Sequence, residues 1–230
     1  MVDTHEAYRR FHRRRHQTLL SLLAEHVPAK LGRCLDIGSG GDVAGAGSVI
    51  IERYAEELHT VDRGVDVEAG RQKGLIAKHS DIDREPLPYL DGYFDLVVFA
   101  SVIEHLYNPH RALAEIARVL TEGGLLVVEA PNAVAFGRRL DALMGKNPFG
   151  SFNRHNAVEN KSPLAECSVF YTASEVESAL QPWFRVIERR YAMHDPPVNR
   201  LKAFLREVVF RVNPRLADCF FVVARRHDRA

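Results

Sequence analysis

The stretch CLDIGSGGDVAG, residues 34–45, decides the fold. A short apolar run carrying Asp36 breaks into glycines, and a helical pattern, VAGAGSVIIERYA (43–55), follows. A strand that runs through glycines into a helix is a ligand site by geometry. The glycines let a bound molecule approach the backbone, and the helix start offers free N–H groups. Three ligands use this device. A phosphate loop needs Lys-Ser or Lys-Thr after the glycines, where this chain has Asp42 and Val43. A dinucleotide loop reads G-x-G-x-x-G, and Gly38, Ser39, Gly40, Gly41, Asp42, Val43 fails at the last position. Its pyrophosphate would also face Asp36 and Asp42. The third ligand, S-adenosylmethionine, needs no phosphate and carries a sulfonium and an ammonium, which suit a carboxylate such as Asp36.

Working outward, strand and helix patterns alternate. ELHTVD (57–62) reads as a strand ending in Asp62, LIAKHSD (75–81) as one ending in Asp81, and YFDLVVFAS (93–101) as a buried strand. PHRALAEIARVL (109–120) is a helix with Pro109 in its first turn, and EGG turns the chain into LLVVEA (125–130). TASEVESAL (172–180) carries a capping-box spacing, Thr172 to Glu175. WFRVIERRYA (183–192) and DCFFVVARR (218–226) are the last two strands, on either side of an amphipathic helix at 199–212. This alternation predicts a mostly parallel sheet covered by helices on both faces. Asp36, Asp62 and Asp81 then fall at the carboxyl ends of strands, where ligands bind in open α/β sheets. Asp62, 26 residues after Asp36, is placed to accept hydrogen bonds from two ribose hydroxyls.

LDIGSGG, HTVD, HSDID, YFDLVVFASVIEHL and RALAEIARVLTEGGLLVVEAPN occur in this order. As a set they resemble the class I S-adenosylmethionine-dependent methyltransferases, in particular the small-molecule branch with EHL after the fourth strand. The resemblance covers about residues 30–132. It implies an α/β, Rossmann-like, seven-stranded sheet of order 3-2-1-4-5-7-6 with the seventh strand antiparallel. It also implies cofactor roles: Asp36, Gly38, Ser39 and Gly40 at the methionine part, Asp62 at the ribose, Asp81 and Ile82 at the adenine, and Ala100 and Ser101 against the cofactor. The glycine loop departs from the family in its extra glycines and in Asp42.

Candidates for the chemistry are Glu104 and His105, just after the fourth strand, and His155 in FNRHN. Some ubiquinone-pathway and small-RNA methyltransferases carry E-x-x-E-H at this place and bind a divalent ion; here Ser101 replaces the first glutamate. A general base, a structural histidine and a metal ligand all remain open for these residues, and no metal is expected. Residues 132–170, rich in Asn, Gly, Ser and Pro, read as a substrate lid, with Asn132, Arg154, His155, Asn156 and Tyr171 either as readers of a polar acceptor or as loop hydrogen-bonders. His194 and Asp195 are a second candidate base pair.

The N-terminal helix, 5–27, carries Arg9, Arg10, Arg13, Arg14 and Arg15, read as a solvated face or as a surface for an anionic partner. Helix 199–212 has an apolar face, Leu201, Phe204, Leu205, Val208, Val209 and Val212, read as core or dimer packing, or as a contact with a membrane-borne acceptor. A homodimer is therefore one expected partner arrangement. The 230 residues are read as a single domain. A net charge of +1 gives no global argument for nucleic acid. Cys34, Cys167 and Cys219 form neither a metal spacing nor a disulfide framework, which fits a reducing cytoplasm. No secretory leader or membrane span is read in the sequence.

The function expected is S-adenosylmethionine-dependent methylation of a small molecule, at the oxygen of a sugar, phenol or related polar metabolite. An RNA acceptor, a non-catalytic cofactor-binding protein and a nicotinamide oxidoreductase are the competing readings.

Overall fold

A computed structural model describes residues 4–39, 46–64, 72, 74–149, 169–195 and 200–227. Helix α1 (Thr4–His26) leads into β1 (Leu31–Ile37), α2 (Ala46–Ile51), β2 (Ala55–Asp62), β3 (Ile76–His79) and β4 (Phe94–Ala100). Then come α3 (Pro109–Val119), β5 (Leu120–Pro131), α4 (Phe136–Leu143), α5 (Ala173–Leu180), β6 (Phe184–Ala192), α6 (Arg200–Val212) and β7 (Cys219–Arg226). The seven strands form one sheet in the order β3-β2-β1-β4-β5-β7-β6. Strand β7 runs antiparallel to both neighbours, and the other pairs are parallel. This is the Rossmann-like order that the sequence motifs imply.

Alternation along the strands builds the two core layers. On β4, Val97 and Phe99 face one way, packing with Leu113 and Ile116 of α3 and Val176 and Leu180 of α5. Leu96 and Val98 face the other way, with Leu19, Leu22 and Leu23 of α1, Val27 just after it and Ile51 of α2. The spacing of Leu19, Leu22, Leu23 and Val27, an i, i+3, i+4 pattern continued one turn on, makes the stripe that lies on the sheet. Because α1 is about 35 Å long, its first half overhangs the carboxyl ends of the strands.

The helix ends follow local chemistry. Asn108 caps α3, its side chain accepting from the Arg111 N–H at 3.2 Å, with Pro109 at the first helical position. Thr172 and Glu175 form the expected capping box of α5.

Three elements differ from the sequence reading. The helix after the glycine loop stops at Ile51, passes through a 3-10 turn, and Ala55 already begins β2. Strand β5 starts at Leu120, five residues early, because Leu120 pairs with Phe94 and the ladder shifts register to take in Gly123 (φ +69°). Strand β3 stops at His79, so Asp81 lies in the turn beyond it.

Candidate active site

The carboxyl ends of β1, β2 and β4 meet at the glycine turn. Gly38 has φ +80° and donates its N–H to the Val61 carbonyl at 2.8 Å. A Cβ here would sit 2.1 Å from Val102 Cγ2, so only glycine fits. Beside it, Asp36 is buried and accepts a 2.5 Å hydrogen bond from Ser48 Oγ on α2. Burial pushes the Asp36 carboxyl up to about 6; Ser48 opposes that, and the charge of Asp62 adds to it. Asp62 ends β2, and its Oδ1 accepts from the Gly64 N–H at 2.7 Å. Two carboxylates at the ends of adjacent strands, on one crevice, suit a cationic ligand and repel a phosphate. Ser39 Oγ is buried without a hydrogen-bond partner at the same turn. A polar ligand that carries positive charge, as the methionine part of S-adenosylmethionine does, fits this donor set.

The other sequence candidates fall as follows. Asp81 forms its own turn: Oδ1 accepts from the Asp83 N–H at 3.1 Å, and Arg84 lies 3.6 Å from Oδ2. Ile82 is buried in the core cluster on the α3 side. Ala100 ends β4, half-buried. Gly40, Asp42, Arg154, His155 and Asn156 lie outside the described residues. Asn132 is not free to read a substrate: its amide donates to the carbonyls of Arg215 (2.9 Å) and Ala217 (2.8 Å) and accepts from the Val134 N–H. Asp195 is engaged by Arg13 at 3.3 Å, while the His194 ring packs against Phe11 and His12.

Ser101 is the main surprise. It adopts φ +55°, the left-handed region that a non-glycine residue rarely enters. Its hydroxyl donates to Glu129 Oε2 at 2.7 Å and accepts from Arg15 Nη1 at 2.7 Å. Arg15 Nη1 also lies 3.5 Å from Glu129 Oε2. Glu129 stands opposite Ala100 in the β4–β5 ladder. It is 1% exposed, and the Arg15 side chain is 14% exposed. The basic cluster of α1, read as a solvated face or an anion surface, thus sends Arg15 inward. Arg14 meets Glu207 and Arg13 meets Asp195. The residues that sequence reasoning missed are Arg15 and Glu129. Glu129 sits inside the apolar run LLVVEA, and a carboxylate in such a run was the available sign that a cation must reach it.

Around this pair are Glu104, from the 3-10 turn Ile103–His105, and the rings of His12 and His16. Glu104 is buried and its Oε2 has no hydrogen-bond partner. Burial, then the Glu129 charge, raise its carboxyl to about 8. His12 and His16 are lowered to about 3 and 4, first by burial and then by the Arg15 charge, so both are neutral at pH 7. His105 is half-buried at the end of the 3-10 turn. Among the described residues, no group of three or more His, Cys, Asp or Glu could hold a metal ion.

The raised Glu104 gives a pH-dependent stability. Between the ordinary carboxyl range and about pH 8 the unfolded chain is ionised there while the folded chain keeps the proton. The unfolded state binds fewer protons in that window, so stability falls as pH rises through it and levels off above about 8. Asp36 adds the same sign up to about 6. Glu104→Gln is expected to leave the melting midpoint little changed near pH 4.5, and to raise it progressively relative to the parent between pH 6 and 8. A difference between the two proteins that does not vary with pH would count against this assignment.

Together the fold and this acid–glycine crevice make a ligand-binding site at the carboxyl ends of an open α/β sheet. Residues 35–128 match the family model described as a methyltransferase domain. Over 139 residues the chain is 33% identical to a Mycobacterium tuberculosis protein named a probable S-adenosylmethionine-dependent methyltransferase, covering 59% of this chain and 47% of that one. It is 33% identical over 102 residues to the ubiquinone/menaquinone biosynthesis C-methyltransferase UbiE of Burkholderia mallei, 42% of each chain. The N-methyltransferase NodS of Bradyrhizobium japonicum, solved with S-adenosyl-L-homocysteine, shares the fold. Its TM-score is 0.58 at 17% identity, over 95% of this chain and 88% of that one. The chain spans about half the length of these curated relatives.

Proposed function

We propose that this protein transfers a methyl group from S-adenosylmethionine to a small polar molecule, with a hydroxyl oxygen of a sugar or phenol as the acceptor. The observation that carries the reading is the crevice itself: Asp36 and Asp62 at adjacent strand ends, flanking the left-handed Gly38. Bound S-adenosylmethionine supplies an electrophilic methyl group on a sulfonium. The chain's own part is alignment and exclusion of water. Asp36 and Asp62 hold cationic and hydroxyl groups, Gly38 and Ser39 bring backbone close to the methionine part, and Asp81 and Ile82 flank the adenine. Ala100 and Ser101 form the floor against which the cofactor rests.

Glu104, His105 and His155 are the proposed groups on the acceptor side. With its carboxyl at about 8, Glu104 holds a proton at neutral pH and becomes a proton acceptor only on the alkaline side. If Glu104 takes the acceptor proton, turnover rises through about pH 8, and Glu104→Gln removes that rise. Residues 132–170 are proposed to close over the acceptor.

The test is calorimetry with S-adenosylmethionine and S-adenosylhomocysteine, followed by mass analysis of products from a metabolite panel. Micromolar binding and a product heavier by one methyl group are expected. One relative is named a C-methyltransferase, so the methylated atom must be read from the product. No cofactor binding would end the proposal; binding without turnover on any acceptor would favour a non-catalytic role. Salt-sensitive RNA binding with methyl transfer to RNA would favour the RNA reading.

A further inference from the structure

Helix α6 carries Leu201, Phe204, Leu205, Val208 and Val212 at spacings that form one stripe along a helix. The sequence reading placed such a face against the core, a second copy or a membrane-borne acceptor. The core is excluded, because the stripe points to solvent. Phe204 is 64% exposed and Val212 81%, and among the described residues of α6 none is buried. Helix α4 repeats the pattern. Phe136, Leu140 and Leu143 follow at spacings of four and three, Met144 and Phe149 come next, and all are exposed, Leu143 at 85%. Contiguous exposed apolar surface of this kind marks an interaction site.

The two helices share one end of the molecule. Asn132, just past β5, donates to the carbonyls of Arg215 and Ala217 in the turn that joins α6 to β7. This ties the chain entering α4 to the chain leaving α6, at the carboxyl ends of the parallel strands. Here charge is concentrated too. Residues 200–216 hold five Lys or Arg against one acidic residue, and residues 136–149 hold three against one, in a chain whose net charge is +1. The remainder of the protein is therefore net acidic. Arg206 is tied to Asp218 and Arg211 lies 3.7 Å from Glu207, yet the surplus over the two segments stands.

An apolar stripe flanked by basic side chains is the pattern of a helix that lies in a bilayer interface. Its charge complements anionic headgroups. A twofold dimer through the same face would set two like-charged surfaces against each other. No helix among the described residues is long and apolar enough to cross a membrane. We propose that the exposed apolar stripe of α6, together with that of α4 at the same end of the sheet, docks the protein reversibly on an anionic membrane surface, turning the carboxyl end of the sheet toward the lipid. The docking stands on its own; its consequence, an acceptor presented by the membrane, rests on the methyltransferase reading.

The test is co-sedimentation of the full chain with phosphatidylcholine vesicles containing about one-third phosphatidylglycerol, against vesicles of phosphatidylcholine alone. Binding to the anionic vesicles is expected to be roughly ten-fold tighter or more, and to weaken as salt rises from about 0.1 to 0.5 M. The double variant Phe204→Ser, Leu205→Ser is expected to reduce it by roughly ten-fold, and Leu143→Ser on the other helix by several-fold. These side chains are already exposed, so the melting midpoint and the calorimetric affinity for S-adenosylmethionine should not move. That control separates a failure of docking from a failure of the proposed activity. Sedimentation no greater with anionic than with neutral vesicles would overturn the proposal, as would serine variants that bind like the parent. A stable dimer dissociated by the double variant would also overturn it, and would assign the face to a second copy.

Discussion

Arg15→Met is expected to destabilise the protein by about 3–5 kcal/mol, the cost of leaving a buried charge without its partner. Glu129 is almost fully buried in the sheet, and its Oε2 is held by the Ser101 hydroxyl and the Arg15 guanidinium. Methionine keeps much of the arginine stem's apolar bulk but none of its charge. Glu129 would retain one neutral donor, and burial would then work against its ionised form. In a domain of this size the loss corresponds to a fall in the melting midpoint of about 6–20 °C. Removing both charges should be far milder, because the neutral pair Arg15→Met, Glu129→Gln leaves no buried ion. A double-mutant cycle read by thermal melting therefore tests the pairing directly. Losses that simply add, or an Arg15→Met variant within about 1 kcal/mol of the parent, would show that the pair is not coupled.

The consequence for function lies in the backbone. Ser101 is held at φ +55° while its hydroxyl bridges Arg15 and Glu129. Such strain persists only where the surroundings over-determine it. Releasing Arg15 frees the Ser101 turn as well as the first half of α1.

Gly38→Ala is expected to lower the affinity for S-adenosylmethionine by about 100-fold or more, and to destabilise the fold as well. A left-handed backbone costs an alanine about 1–2 kcal/mol. The new Cβ would also sit 2.1 Å from Val102 Cγ2, far inside contact distance, so Gly38 or the 102 backbone must shift. Either movement displaces the turn between Asp36 and Asp62. Val102→Ala removes the clashing methyl, and the double variant should regain most of the stability while keeping the φ strain. Gly123→Ala is the control. It has φ +69° with nothing within 4 Å of its Cβ position, so it should cost only the backbone strain and leave cofactor affinity intact. Equal cofactor affinities for Gly38→Ala and the parent would sink the assignment of this turn to the cofactor.

Much of the acid–glycine crevice was legible from sequence because it is local. Strand, glycine turn and acid lie within a few residues of one another, and Asp36 and Asp62 end strands whose apolar runs announce themselves. The capping box at Thr172–Glu175 was readable for the same reason. Asp81 was less so: its strand is short, and two residues decide whether a carboxylate ends a strand or folds back on its own turn. For Asn132 the sequence left acceptor reading and loop hydrogen bonding both open; the structure shows loop hydrogen bonding, with partners, Arg215 and Ala217, from the far end of the chain.

The sequence alone determined the layered α/β architecture and the placing of Asp36 and Asp62 at strand ends beside the glycine turn. Periodicity and turn chemistry act over a few residues, and an apolar run must be buried wherever it lies. Tertiary structure decided which of five neighbouring arginines turns inward and which amphipathic helix stays uncovered. Arg15 meets Ser101 across 86 residues of chain. Helix α6 has the same kind of apolar stripe as α1, yet only α1 finds a sheet to cover. Both outcomes depend on what stands opposite in space, and no local pattern carries that.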